Sequence, residues 1–184
     1  MKLIFVGAQG TGKSTILNYY KENGWNCITE VVRNLSKQGV KINEMGDCEG
    51  QQAIYNTYKE LFSKNSNFIS DRGLVDVCAY TGYLHCRNRS EETEKLFTEQ
   101  IMGILEFNEE NKDVKYFYFP IEFPVVDDGV RSVDEFFREE VDGYIKVILN
   151  NLNIDYIEVT GTVEERIKII DEYIASQSKP IGDA

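Results

Sequence analysis

The sequence predicts an α/β protein built on a doubly wound, parallel, five-stranded sheet, and three observations carry that prediction. Five short apolar runs recur along the chain, at Leu3 to Val6, Asn26 to Glu30, Asn67 to Ser70, Val114 to Phe119 and Asp155 to Val159. Stretches with apolar residues at helical spacing separate these runs, so strand and helix alternate, and right-handed crossovers then make the sheet parallel. A glycine-rich turn joins the first run to a helix, and charged residues end the second and third runs, at the edge where open α/β sheets bind ligands.

Leu3, Ile4, Phe5 and Val6 are apolar without alternation, as a parallel strand covered on both faces must be. The turn behind them reads Gly7-Ala8-Gln9-Gly10-Thr11-Gly12-Lys13-Ser14-Thr15 and fits G-x-x-x-x-G-K-[ST]. In that P-loop pattern backbone N–H groups wrap phosphates, Lys13 reaches the β and γ oxygens, and the Ser14 hydroxyl holds Mg²⁺. Gly7, Gly10 and Gly12 let the backbone approach an anion, and the following helix, continued by Ile16 and Tyr19 or Tyr20, adds its positive N-terminus. All nine residues are candidates for nucleotide binding, and the fold class narrows to a P-loop NTPase.

Gly24 closes the first helix, and the second run, expected beside the first in the sheet, delivers Glu30 and Arg33 to the ligand edge. A carboxylate and a guanidinium there are candidates for substrate contact; the alternative is an exposed i, i+3 ion pair. Residues 39–47 read as a loop, and Gln51, Ile54, Tyr55, Tyr58, Leu61 and Phe62 as the packed stripe of a helix. The third run delivers Asp71-Arg72-Gly73 to the same edge. Asp71 is the candidate Walker B carboxylate for Mg²⁺ or its water, with a helix cap as the alternative, and Arg72 is placed to hold an acceptor or the transferred phosphoryl group.

Arg87 to Arg89 read as a basic loop and the lone His85 as a packed or exposed side chain, while Ser90 caps a helix with Phe97, Ile101, Ile104 and Leu105 inside. Pro120 and Pro124 then open a loop of about ten residues, longer than the usual connection in such a unit and therefore expected to act as a lid. Arg131 is its candidate catalytic residue, and Asp127 and Asp128 beside it are candidates for acceptor contact. Ser132 and Glu135 form a capping box for a helix with Phe136, Phe137, Val141, Tyr144, Ile145 and Ile148 on one face. The fifth run leads to Gly161 and Thr162, expected on the nucleotide side near the base, with Thr162 and Glu165 as a second capping box.

At 184 residues the chain suits one α/β domain, taken as 1–176 with a soft tail at 177–184. A net charge of −11 and a pI near 4.6 argue against a surface that holds nucleic acid and favour a small charged substrate in a pocket. The four cysteines show no C-x-x-C pair and the chain has one histidine, so packed, reduced thiols are expected rather than a metal site. No export signal and no apolar run of about twenty residues is found, which makes the cytosol the expected compartment and excludes a membrane partner at this level of reading.

With the P-loop, Thr29-Glu30 and Arg33, Asp71-Arg72-Gly73, Asp127-Asp128-Gly129-Val130-Arg131 and Tyr156-Ile157-Glu158-Val159 in view, the chain resembles the NadR-like P-loop kinases over nearly its whole length. That group includes the ribosylnicotinamide kinase domain and related AAA-type small ATPases. The resemblance implies ATP as phosphoryl donor, with Mg²⁺, and a nucleoside-like or nucleotide-like hydroxyl as acceptor. The Asp71-Arg72 pair departs from the ribosylnicotinamide kinases and looks more like the pair in thymidylate and deoxynucleoside kinases, where the carboxylate after the second strand, here Glu30, serves as general base. Two other readings stay open: a regulatory NTPase that switches a protein partner, and a polynucleotide 5′-kinase, which the acidic balance disfavours.

Overall fold

The computed structural model describes residues 1–124 and 134–177. Its strands are β1 (Lys2–Val6), β2 (Cys27–Ile28), β3 (Phe68–Asp71), β4 (Val114–Tyr118) and β5 (Tyr156–Glu158), all parallel, in the order β2-β3-β1-β4-β5. The helices are α1 (Lys13–Glu22), α2 (Val31–Lys37), α3 (Cys48–Lys64), α4 (Leu74–Asn88), α5 (Glu91–Glu110), α6 (Glu135–Asn151) and α7 (Val163–Gln177). The doubly wound α/β class expected from the sequence is the one observed.

The period of a strand decides the layers. Leu3 and Phe5 point into the core beneath α1 and α7, with Ile16, Tyr20 and Ile170, whereas Ile4 and Val6 point into the larger core beneath α3, α4 and α6, with Tyr58, Cys78 and Ile145. All four are fully buried, and each contributes roughly 1.5–3 kcal/mol by leaving water. The register then places the site: Phe5 lies opposite Asp71 on β3 and Val6 opposite Tyr118 on β4, so the loops that follow three strands leave the sheet at one level.

The structure corrects several expectations. β2 does not neighbour β1, because β3 inserts between them, with Cys27 paired to Ile69. Phe68 and Ile69 are buried and suit the centre of a sheet, while the two-residue β2 is partly exposed and suits its rim. Helix α6 is capped by Asp134, whose carboxylate accepts the Phe137 N–H at 3.1 Å, and Glu135 pairs with Arg138; Ser132, the expected cap, lies outside the described residues. Phe136 and Leu105, expected inside, are 66% and 40% exposed, since Phe137 and Ile104 one position away take the inward stripe. Arg87 and Asn88 belong to α4, and the Arg87 guanidinium donates to Tyr83. Gln177, expected in the tail, ends α7, and residues 178–184 lie outside the described residues.

Candidate active site

The loop from Gly7 to Gly12 is shaped by what presses on it. A Cβ on Gly7, at φ 151°, would meet the Phe119 carbonyl at 2.5 Å, and one on Gly12, at φ 87°, would meet Arg166 Nη1 at 2.7 Å. Gly12 is the N-cap of α1, so the free N–H groups of that helix face the same space. Lys13 is buried and donates through Nζ to the Gly7 and Ala8 carbonyls, each at 2.7 Å, and to Thr11 Oγ1 at 3.0 Å.

Two arginines that sequence reasoning missed hold the outer side of this loop. Arg138 of α6, fully buried, donates from Nε to the Gln9 carbonyl at 2.9 Å and from Nη2 to the Gly10 carbonyl at 3.3 Å. Arg166 of α7 donates from Nη1 to the Thr11 carbonyl at 2.6 Å and from Nε to the Gly161 carbonyl, while its Nη2 pairs with Glu122. In a trans peptide the N–H points opposite the carbonyl, so turning three successive carbonyls outward turns the intervening N–H groups inward, toward an anion. The signal was present: each arginine occupies the inward stripe of its helix, three residues before Val141 and four before Ile170, where an apolar residue is the rule.

Asp71 stands where the sequence placed it. Its Oδ2 accepts the Ser14 hydroxyl at 2.6 Å, and its Oδ1 is buried with no hydrogen-bond partner among the described residues. The N-cap of α4 is Gly73, so the cap alternative for Asp71 falls away. A hydroxyl and a carboxylate with an unspent oxygen fit a hard, oxygen-seeking cation such as Mg²⁺, completed by phosphate oxygens and water. No cluster of three or more His, Cys, Asp or Glu able to hold a metal by itself occurs among the described residues.

Arg72 follows with φ 75°, its backbone N–H bound to the Phe5 carbonyl. Its Nη1 donates to the Tyr80 hydroxyl at 3.1 Å, and that hydroxyl donates to Gln9 Oε1 at 2.7 Å. Burial opposes the guanidinium's charge, yet Tyr80, Asp76 and Asp71 outweigh it and raise its pKa above the ordinary range.

Asp76, also missed by sequence, is fully buried in the first turn of α4. One oxygen accepts the Gly7 N–H and the other the Gly73 N–H, both at 3.0 Å. Burial pushes its pKa up to about 6 against the pull of Lys13, Arg72 and those two N–H donors. The Gly73 half of this arrangement, an acid at the third helical position accepting the N-cap N–H, is legible from the spacing; the reach to Gly7 is not.

A cavity of about 330 Å³ opens beside the loop, lined by Gln9, Ser14, Glu30, Arg33, Asn43, Asp71 and Arg72 among others. It meets the smaller P-loop cavity at Gln9, Ser14, Thr15, Asp71 and Arg72. Glu30 and Arg33 form the i, i+3 ion pair foreseen as the alternative, at 3.5 Å and partly exposed, and both still line the cavity. Three residues with left-handed backbone, Glu30 at φ 60°, Asn43 at φ 56° and Arg72 at φ 75°, share this one wall. Such non-glycine conformations cost about 1–3 kcal/mol each and gather at functional sites.

Gly161 and Thr162 come to the other side of the loop, where the Gly161 N–H donates to Glu122 and Thr162 and Glu165 complete the expected capping box. Arg131, Asp127 and Asp128 lie outside the described residues.

A glycine loop on a helix N-terminus, carried by five parallel strands in this order with a serine–aspartate pair at its mouth, defines a P-loop nucleotide-binding protein. The sequence matches the family model of an AAA domain over residues 2–166, and the chain belongs to that family. No curated protein matches it in sequence. Its fold is similar to that of NadR solved in complex with NR, with a TM-score of 0.71 at 15% identity, 99% of this chain being covered and 53% of that one. It is similar to deoxyadenosine kinase from M. mycoides, solved with dCMP and dCDP as products, with a TM-score of 0.66 at 16% identity, 97% of this chain and 100% of that one being covered. A third likeness is to thymidylate kinase from Candida albicans, with a TM-score of 0.58 at 14% identity over 100% of this chain and 95% of the other.

Proposed function

We propose that this protein is an ATP-dependent kinase that transfers the γ-phosphate to a hydroxyl of a nucleoside-type or nucleotide-type acceptor. The observation that carries the reading is the joining of the phosphate-loop cavity to a second, larger polar cavity through Ser14, Asp71, Arg72 and Gln9. A switch that hydrolyses nucleotide needs room for one water there; a volume of about 330 Å³ has room for a small molecule. The fold neighbours, two of them nucleoside or nucleotide kinases and one solved with NR, point to the same acceptor class.

In this reading Ser14 and Asp71 would hold Mg²⁺, which would supply neutralisation of phosphate charge. Lys13 moves from its own loop carbonyls onto the β and γ oxygens, and the inward N–H groups from Gly10 to Ser14 carry the remaining phosphate contacts. Gly161 and Thr162 flank the base. Glu30 takes the proton from the acceptor hydroxyl, Arg33 and Arg72 orient the acceptor with Asp127 and Asp128, and Arg131 closes over the transferred group from the lid. No helix among the described residues is long and apolar enough to cross a membrane, and the cytosol is the compartment this reading assigns.

The test is ADP release measured with and without a panel of nucleosides, deoxynucleotides, nicotinamide riboside and 5′-hydroxyl oligonucleotides. Turnover that requires a small acceptor supports the kinase; acceptor-independent turnover supports a regulatory NTPase, and turnover only with oligonucleotides supports a polynucleotide kinase.

A further inference from the structure

Gln9 is the third residue of the phosphate loop, 2% exposed, and it lines both cavities where they meet. Its backbone carbonyl is held by Arg138 and its side-chain carbonyl accepts from Tyr80, so the residue is fastened at both ends. The orientation of its amide follows from the donors around it. The Arg72 guanidinium has only protons to give, so the Tyr80 hydroxyl accepts from Arg72 and must spend its single proton on Gln9. That fixes Oε1 toward Tyr80 and Nε2 away from it; the flipped amide would strand the hydroxyl proton. Nε2 is left buried without a hydrogen-bond partner among the described residues.

A buried amide nitrogen without an acceptor is uncommon in a folded protein, and here its polarity is enforced by a two-step relay from a partly buried cation. The chemistry expected at the junction of the two cavities supplies what it lacks, since a phosphoryl group in transfer carries charge on its equatorial oxygens. We propose that Gln9 Nε2 donates a hydrogen bond to an oxygen of the γ-phosphoryl group, with Tyr80 and Arg72 acting as positioning residues for that donor. The assignment rests on nucleotide binding by the loop and not on which acceptor the enzyme uses.

The test compares the affinity of mant-labelled ADP with Mg²⁺ before and after addition of beryllium fluoride, an analogue of the γ-phosphoryl group. The quantity read is the gain in affinity that the fluoride produces, so any change in ADP binding itself divides out. Gln9→Met removes the donor without adding charge, whereas Tyr80→Phe removes the relay and leaves the amide in place. Loss of one preorganised donor to a developing oxyanion typically costs about 10²–10³ in rate, and the fluoride gain is expected to fall by at least about tenfold in Gln9→Met and by clearly less in Tyr80→Phe. If Gln9 is merely a structural partner of Tyr80, the two variants lose equally, and that result overturns the proposal, as does an unchanged gain in Gln9→Met. Should circular dichroism show Gln9→Met unfolded, Gln9→Asn, which draws the amide back by one methylene, is judged by the same comparison. A wild-type protein that fails to bind mant-ADP overturns the nucleotide reading itself, an outcome separate from equal losses in a protein that binds.

Discussion

The carboxylate of Asp76 accepts the Gly7 N–H at 3.0 Å, tying the first turn of α4 to the first residue of the phosphate loop. Its other oxygen accepts from Gly73, next to Arg72, so one buried side chain sets the spacing between the loop and the Asp71–Arg72 corner. The folded pKa near 6 stands above the ordinary 3.8, so between those values the folded protein keeps a proton that the unfolded chain has released. Stability from this group is therefore full below about pH 4 and lost as the pH rises through about 6, a displacement worth on the order of 3 kcal/mol. Urea unfolding of wild type and Asp76→Asn across that range checks this: the wild-type curve should decline with pH relative to the variant, and parallel curves would contradict it.

Lys13→Ala should lower turnover by about 10²–10³ while the fold stays intact, because the transferred group needs a positioned cation more than covalent help. A folded variant with near-wild-type rate would remove the P-loop from the chemistry. Asp71→Asn should instead show itself in the Mg²⁺ titration, shifting the half-saturating concentration upward, since the Ser14–Asp71 pair loses its anionic oxygen.

Arg72 gives one proton to Tyr80 and holds its guanidinium over that ring at 5.3 Å from the centroid. Lysine keeps the charge and loses the planar fork, so Arg72→Lys should not restore full rate on any acceptor that wild type uses. Wild-type kinetics in Arg72→Lys across the whole panel would make the residue structural.

Glu30→Gln should slow phosphoryl transfer roughly 10²–10⁴-fold in single-turnover experiments with ATP affinity retained, and Arg131→Ala about 10³–10⁵-fold. If Glu30→Gln keeps its rate over the acceptor's pH range, the Glu30–Arg33 pair is only the surface contact seen at 3.5 Å, and Asp71 becomes the better base.

Arg138→Lys should weaken nucleotide binding although it adds and removes no charge. Nε and Nη2 serve two adjacent carbonyls at once, a geometry one ammonium cannot copy, and leaving the buried Gln9 carbonyl without a donor costs about 1–3 kcal/mol. Equal ADP affinity in isothermal titrations of the two proteins would show that the loop holds its shape unaided.

Much of the fold was legible because it is written in local pattern: an apolar run at Leu3 to Val6, followed at once by a glycine turn, is what a strand covered twice requires, and Lys13-Ser14 behind three glycines leaves little else to be. Asp71 and Arg72 were legible for a related reason, since a strand's C-terminal end fixes where its last residues point. Asp76, Arg138 and Arg166 were not, because their partners lie far off in sequence and no spacing rule connects residue 9 to residue 138. The place of β2 escaped for the same cause: chain order says which strands exist, whereas side-chain burial on both faces of Phe68 and Ile69 decides which one sits in the middle.

The carbonyls of Gln9, Gly10 and Thr11 wait for partners 129, 128 and 155 residues downstream. The phosphate loop is thus held from two helices far along the chain, and its shape is complete only with α6 and α7 docked. Contacts of such long range slow folding, and a chain lacking α6 and α7 would carry the whole motif without these three donors. Nucleotide present during refolding should therefore favour the state in which α6 and α7 are docked on the loop.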